Sequence, residues 1–259
     1  MKKSKIAVLV AMVVVLAFSL AACGGSDKSS SDKTVYKVGT EPTFPPFDTT
    51  DEDQNIVGLD MDLIKAIGED QGFDVEFENL SFDGLIPALK AGNIDIVAAG
   101  MNKDDEDRQK EVDFSDSYYE SKLFVAVTED NTTIKSVEDL TPDMKVAAQT
   151  GTTGASKVQE LKDAGKIKEA VILDGLDTCM MKLINGDVSA VINDKPVTEA
   201  YMKKQPDKIK MVGEALNAEN YGFAVQKGNK ELLDKINAGL KNIKDDGTYD
   251  KLIDEWFNK

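Results

Sequence analysis

Three kinds of residue in this sequence are placed where they could hold a small charged molecule. Asp194 directly follows the apolar run at residues 188–193, and an acid at the carboxyl end of a buried strand sits where α/β proteins bind ligands. It could also cap the helix that Pro196 opens. Thr152 and Thr153 stand at the start of a helical pattern, where free backbone N–H groups favour an anion. Arg108 follows the acidic run Asp104-Asp105-Glu106-Asp107 and, taken alone, reads as a solvated arginine. Two further patterns lead nowhere. Gly151 and Gly154 could open a phosphate loop, but no Gly-Lys-Ser/Thr follows them. Asp51-Glu52-Asp53-Gln54-Asn55 could open a calcium loop, but its sixth position is Ile56 where a glycine is required, so it reads as an acidic surface turn.

Composition narrows the chemistry. The chain has 259 residues, no histidine and two cysteines, Cys23 and Cys179. Without histidine, Ser-His-Asp and Cys-His nucleophile systems and His-ligated metal sites are excluded. A formal net charge of −16 argues against a nucleic-acid partner, which needs a basic footprint. At the amino end, Lys2, Lys3 and Lys5 precede an apolar run at residues 6–20 that is short for a membrane span and ends in small residues, as a secretory leader does. Leu20-Ala21-Ala22-Cys23 resembles a bacterial lipobox, cleaved before a cysteine that then receives the lipid. Residues 24–33 (GGSDKSSSDK) hold too little apolar content to pack and read as a flexible tether. With Cys23 lipidated, Cys179 has no partner within the chain and no disulfide is expected. The expected location is the outer face of the cell membrane, held by the lipid alone.

The elements that must position these residues alternate. Strand patterns at 35–40, 73–79, 94–99, 122–127, 145–149, 169–173, 188–193 and 221–225 are separated by amphipathic helical patterns. Asp60 is placed to cap a helix carrying Leu63, Ile64 and Ile67 that Gly72 ends, and Ser81 to cap one carrying Leu85, Ile86 and Leu89. Helices at 153–164 and 177–185 follow, then 230–245 and 249–257. The alternation predicts an α/β architecture with a largely parallel sheet. It begins afresh near residues 125–128, which suggests two lobes, although periodicity does not decide which lobe takes the strand at 221–225.

Four stretches taken in order resemble the bacterial extracellular solute-binding proteins of family 3, the polar-amino-acid-binding lipoproteins of ABC importers. They are Val38-Gly39-Thr40-Glu41-Pro42-Thr43-Phe44-Pro45-Pro46-Phe47, Gly58-Leu59-Asp60-Met61-Asp62-Leu63, Phe82-Asp83-Gly84-Leu85-Ile86-Pro87-Ala88-Leu89 and Val112-Asp113-Phe114-Ser115. Gln149-Thr150-Gly151-Thr152-Thr153-Gly154 and Asp246-Gly247-Thr248-Tyr249 add to them, so the resemblance runs from about residue 35 to 257. It implies a two-lobe periplasmic-binding-protein fold (type II, the Venus-flytrap form) with hinge crossovers. Lobe one would hold residues 34–125 plus 221–259 and lobe two residues 126–220, after a leader at 1–22 and a tether at 23–33. That settles the strand at 221–225 as a return to lobe one.

The resemblance also implies roles. Arg108, flanked by Ala99-Gly100-Met101 and Val112-Asp113-Phe114-Ser115, matches the arginine that clamps an α-carboxylate, for which a guanidinium fork is well shaped. The loop before it is one residue longer than usual, and Asn102 replaces the usual threonine. Thr152 and Thr153 would complete the carboxylate cradle, Asp194 would pair with the α-ammonium, and Phe44 and Phe82 would cover the ligand's aliphatic part. Ala99, Gly100 and Asn102 would line the cleft, and Glu41 and Gln149 would face the ligand side chain. The implied ligand is a free polar amino acid (glutamine, arginine, histidine or lysine), and the implied partner is an ABC-transporter permease. The reading needs no metal and no cofactor and expects a monomer that is not an enzyme. The rivals are a small-acid dehydratase on the same fold, using cleft carboxylates and needing a general acid poised near Glu41 or Asp194, and a sensory module, for which no output domain is seen before Lys259.

Overall fold

The computed structural model describes residues 33–258. The expected leader, Cys23 and the tether up to residue 32 lie outside the described residues. Chain order begins with β1 (Thr34–Thr40), the ribbon β2 (Thr49–Thr50) and β3 (Ile56–Val57), then α1 (Leu59–Gln71), β4 (Phe73–Asn79), α2 (Phe82–Lys90), β5 (Ile96–Val97), α3 (Glu106–Glu111) and β6 (Val112–Phe114). A crossing strand β7 (Tyr119–Ser121) leads to β8 (Leu123–Thr128), β9 (Lys145–Gln149), α4 (Thr153–Asp163), β10 (Glu169–Leu173), α5 (Leu176–Ile184), β11 (Ala190–Asp194), α6 (Lys195–Lys204) and β12 (Ile209–Val212). A second crossing strand, β13 (Glu219–Tyr221), returns the chain to β14 (Ala224–Gln226), α7 (Lys230–Asp245) and α8 (Thr248–Phe257).

Two five-stranded sheets result, ordered β4-β1-β5-β14-β6 and β10-β9-β11-β8-β12. β1 runs parallel to β4 from Thr34↔Phe73 to Thr40↔Asn79 and parallel to β5 on its other edge. β14 runs antiparallel to β5 and β6. In the second sheet β9 is parallel to β10 and β11, while β8 is antiparallel to β11 and β12. The largely parallel sheet expected from the alternation is therefore mixed in both lobes. The reason is connectivity: β8 and β14 each enter their sheet straight from a crossing strand, with no crossover helix to restore a parallel sense. The strand expected at 221–225 is likewise two strands, β13 and β14, broken at Gly222-Phe223 where Phe223 N–H donates to Ser115 Oγ at 2.9 Å.

Each sheet is packed on both faces. In the first lobe Ile64 and Ile67 of α1 meet Leu240 and Ile243 of α7 on one face, while Leu85 and Leu89 of α2 cover Val97 on the other. In the second lobe Cys179, Met180 and Leu183 of α5 cover Ala147 and Val191, and Val158 of α4 covers Val146 and Ile192 from behind. Burial of each such aliphatic side chain contributes about 1.5–3 kcal/mol, and the 3.6-residue spacing of Leu232, Ile236, Leu240 and Ile243 puts them in one inward stripe. Asp60 does not cap α1 as expected. Gly58 occupies that position, because buried Leu59 and Met61 carry the first turn into the core and take Asp60 with them. Its Oδ2 accepts from Gly100 N at 2.8 Å and from Tyr118 Oη at 2.7 Å.

The crossing strands pair antiparallel, Glu219↔Ser121 and Tyr221↔Tyr119, and form the hinge between the lobes. Aromatic rings brace it: Phe47 meets Tyr119 at 4.9 Å and Tyr221 at 5.1 Å edge-to-face, and Phe257 stacks on Tyr119 at 5.2 Å. Such pairs contribute about 0.5–1.5 kcal/mol each beyond their buried area.

Candidate ligand-binding site

A small cavity of about 20 Å³ is lined by Phe44, Phe82, Gly100, Asn102, Arg108, Gln149, Thr152, Thr153, Asp194 and Glu219, residues drawn from both lobes and the hinge. The lobes are closed on each other around it. Tyr201 Oη of α6 donates to Thr43 O at 3.0 Å, Leu176 N of α5 donates to Thr43 Oγ1 at 3.2 Å, and Gln149 Nε2 of β9 donates to Glu41 Oε2 at 2.9 Å.

Arg108 is only 9% exposed. The acidic run before it is explained locally: Asp105 Oδ1 accepts from Asp107 N and Arg108 N, both at 3.0 Å, and so caps the single turn of α3. That turn aims the guanidinium across the cleft, where Nη1 donates to Asn102 O at 3.2 Å and Nη2 to Gly151 O at 2.9 Å. Its Cζ lies 5.4 Å from the centre of the Phe82 ring. A buried guanidinium must be partnered, and here two carbonyls and an aromatic face do so, which excludes the solvated arginine that the run alone suggests. Burial lowers its pKa, against the field of Asp105, Glu219 and Asp194, but a guanidinium stays charged. Asn102 closes the longer loop by accepting Asp104 N at 3.1 Å and Asn220 N at 3.3 Å on its Oδ1.

Two glycines permit the close fit. Gly100 has φ +53°, and a Cβ there would lie 2.6 Å from Phe44 Cε1; Gly151 has φ +73°, and its Cβ would lie 2.9 Å from Asp83 Cβ of the opposite lobe. Beside Gly151, Thr152 caps α4, accepting Ala155 N at 3.0 Å and donating to Gln149 O at 2.7 Å. The first N–H groups of α4 have no acceptor within the helix, so with Arg108 they make one positively polarised wall.

Asp194 adds an acidic side chain to the same lining. Its Oδ1 accepts from Ser121 Oγ at 2.9 Å and from Tyr221 Oη, and its side chain makes no capping bond to α6. Burial first, and the neighbouring Glu219 second, raise its pKa well above the usual carboxylate range. At a third point Gln149 commits both N–H groups of its amide, to Glu41 Oε2 and to Asp174 O at 3.0 Å. Its Oε1 is then the atom it offers the cavity, an acceptor. Glu41 Oε2 also accepts from Thr43 Oγ1 at 2.9 Å, and burial raises the Glu41 pKa against those two bonds.

A model of the bacterial extracellular solute-binding proteins, family 3, matches residues 36–259. The chain belongs to this family. A probable histidine-binding protein of Neisseria gonorrhoeae is 33% identical over 252 residues, covering 94% of this chain and 92% of its own. Among solved structures, an ancestral arginine-binding protein superposes with a TM-score of 0.83 in its arginine-bound form and 0.81 in its glutamine-bound form, at 45% identity in both; the chains are covered 87% and 99% in the first, 88% and 99% in the second. An ancestral amino-acid-binding protein described as a precursor of cyclohexadienyl dehydratase gives 0.79 at 39% identity, covering 86% of this chain and 95% of its own. The two-lobe architecture with hinge crossovers is the fold of these neighbours.

Nine of the residues singled out in the sequence stand together in the cavity wall: Phe44, Phe82, Gly100, Asn102, Arg108, Gln149, Thr152, Thr153 and Asp194. Two do not. Ala99 packs into the core beneath α2, and Glu41 stands behind Gln149, which takes the place facing the cavity. Glu219 was not anticipated. It lies on a three-residue strand too short to show a period, and only its place opposite Ser121 brings it to the cavity. The two loops weighed against metal or phosphate have local explanations. Asp51 Oδ1 accepts from Asp53 N and Asn55 N to make the acidic turn, and Gly151 serves the contact between lobes. Cys179 is buried, with its thiol pushed up to about 12 by burial and Asp177, the environment of an inert thiol.

Proposed function

We propose that this protein captures a free polar amino acid between its lobes and delivers it to the permease of an ABC importer, held at the outer face of the membrane by a lipid on Cys23. The observation that carries the reading is that one small cavity is lined by Arg108 and the start of α4 and also by Asp194. An amino acid brings an anion and a cation about two bonds apart, and this lining holds a group complementary to each. Arg108 and α4 take the α-carboxylate and Asp194 takes the α-ammonium. Phe44 and Phe82 flank the aliphatic part, and Gln149 Oε1, backed by Glu41, receives a side chain that donates hydrogen bonds. Arginine, glutamine, histidine and lysine have such side chains; glutamate would bring its charge toward Glu41 in a cleft with little water to screen it. The relatives named for histidine and arginine support the same class.

The dehydratase reading has a neighbour that is a dehydratase precursor, itself an amino-acid-binding protein. Binding is preferred because the relatives and the arginine- and glutamine-bound neighbours are binding proteins, and because Glu41, one of the two acids weighed for such chemistry, is not among the residues lining the cavity. A thermal-shift screen of free amino acids tests the proposal. Saturating ligand at a hundredfold excess over Kd raises apparent stability by ~2.7 kcal/mol, so the melting temperature should rise with at least one of arginine, glutamine, histidine or lysine and not with glutamate. A rise with glutamate alone would overturn the role given to Gln149 and Glu41.

A further inference from the structure

We propose that Asn220, on the hinge strand β13, is a positioning residue for Arg108: its side chain holds the loop that aims the guanidinium at the ligand's α-carboxylate. The proposal rests on the amino-acid reading above. β13 pairs with β7 along one edge. Along its other edge residues 101–103 add a short third strand, where Lys103 N donates to Asn220 O at 2.8 Å, Gly222 N donates to Met101 O at 3.1 Å, and Asn102 lies opposite Tyr221. These two bonds flank the Asn102–Tyr221 pair and do not join it. In such a pair the N–H and C=O of each residue point away from the partner strand. The register therefore turns the Asn102 carbonyl away from β13, and Arg108 Nη1 donates to it at 3.2 Å.

Asn220 fastens this third strand beyond the backbone pairing. Its N–H donates to Asn102 Oδ1 at 3.3 Å, and its Nδ2 donates to Asp104 Oδ2 at 2.7 Å. Ser117 Oγ, just ahead of β7, donates to Asn220 Oδ1 at 3.4 Å, which leaves the amide nitrogen on the side of the acid. Asp104 adjoins Asp105, whose side chain caps the helix that carries Arg108. Arg108 is thus held at both ends by way of one residue. Its guanidinium rests on the Asn102 carbonyl, and its backbone is tied through Asp104 and the cap. Both ends matter, because a guanidinium grips a carboxylate with two parallel N–H bonds that a tilt of the fork spoils. Asn220 and Asp104 are not among the residues lining the cavity, so their effect reaches the ligand through Asn102 and Arg108, which are.

The experiment is calorimetric titration of the full chain with arginine and with argininamide, in which a neutral amide replaces the α-carboxylate. It is run at about pH 6, where both ligands keep the α-ammonium. The α-carboxamide pair of glutamine, histidine or lysine serves if arginine gives no heat. In Asn220→Ala the arginine Kd should rise roughly three- to tenfold, as for loss of one hydrogen bond, while that of argininamide should change little. Asp104→Ala removes the same bond from its other side and should reproduce the loss, and the double variant should add little to either. Equal weakening of both ligands would mean a general loosening of the hinge and would overturn the proposal. An unchanged arginine Kd in Asn220→Ala, or losses that add in the double variant, would overturn it as well. Argininamide bound by the wild type as tightly as arginine would instead remove the carboxylate from Arg108. No heat with any of the four amino acids would sink the amino-acid reading itself, and the proposal falls with either.

Discussion

Arg108 shows how little a residue's neighbours in sequence say about its state. Four consecutive acids precede it, yet one of them caps its helix and the guanidinium turns away from the others into the cleft. If it receives a ligand carboxylate there, Arg108→Ala leaves that charge buried and unpaired. Breaking a buried pair costs roughly 3–5 kcal/mol, or about two to four decades of affinity at 1.4 kcal/mol per decade. Calorimetry should find this loss for Arg108→Ala and for Asp194→Asn, and a near-normal Kd in the arginine variant would refute its assignment. Both residues face the cleft, so the melting temperature without amino acid should change little.

At the scale of elements, the hinge and the latch divide the work of closure. β7 and β13 pair across the boundary and are braced by Phe47, Tyr119, Tyr221 and Phe257, so the junction of the lobes is a stiff two-stranded axis about which such folds close. On the cleft side, the loop carrying Glu41 and Thr43 is gripped by α5 and α6 of the other lobe through Leu176 N and Tyr201 Oη. These bonds exist only with the lobes together. Tyr201→Phe removes one of them, worth about 0.5–1.5 kcal/mol, and should weaken amino-acid binding roughly two- to tenfold. Because the latch resists opening, stopped-flow measurement should place most of the change in the dissociation rate. A Tyr201→Phe protein with unchanged dissociation would remove the latch from the account.

For the molecule as a whole, two predictions concern conditions and location. Asp48 and Asp60 are wholly buried, and Oδ1 of each lacks a hydrogen-bond partner among the described residues. Burial raises both pKa values, that of Asp60 to about 7, and Asp48 feels Asp60 as well. A raised carboxyl pKa means that the folded state holds protons the unfolded chain has already lost. Its stabilising effect is complete below about pH 4 and is lost as pH rises toward 7. Urea unfolding at pH 5, 6 and 7 should therefore show stability falling with pH by up to about 1.4 kcal/mol per unit for each proton retained. Asp60→Asn should flatten that slope, and a wild-type stability that climbs over this range would contradict the assignment. Independently, Cys23→Ser should abolish lipid attachment and leave the protein out of the membrane fraction. Mass spectrometry that finds no lipid on wild-type Cys23 would remove the anchor from the proposal.

Long amphipathic segments were legible without coordinates, because Leu232, Ile236, Leu240 and Ile243, or Leu63, Ile64 and Ile67, declare a helical period by themselves. So were strands such as residues 145–149 and 169–173, and the ordered motifs that resemble the family. What stayed hidden were the particular contacts that form when two distant segments meet. Asp60 has the sequence signature of a cap, but its side chain is decided by Gly100 and Tyr118, far along the chain. The run at 221–225 reads as one strand, yet it divides because its two ends pair with β7 in the hinge and with β5 and β6 in the first sheet. Glu41 reads in the sequence as a ligand contact, but its Oε2 accepts from Gln149 of the other lobe. Glu219 had no signal, since a three-residue strand has no period and a buried acid is recognised only by what surrounds it. Local pattern records which face of an element is apolar; which polar groups meet across a cleft is set by packing, because the Coulomb and hydrogen-bond terms that decide their charge act through space and not along the chain.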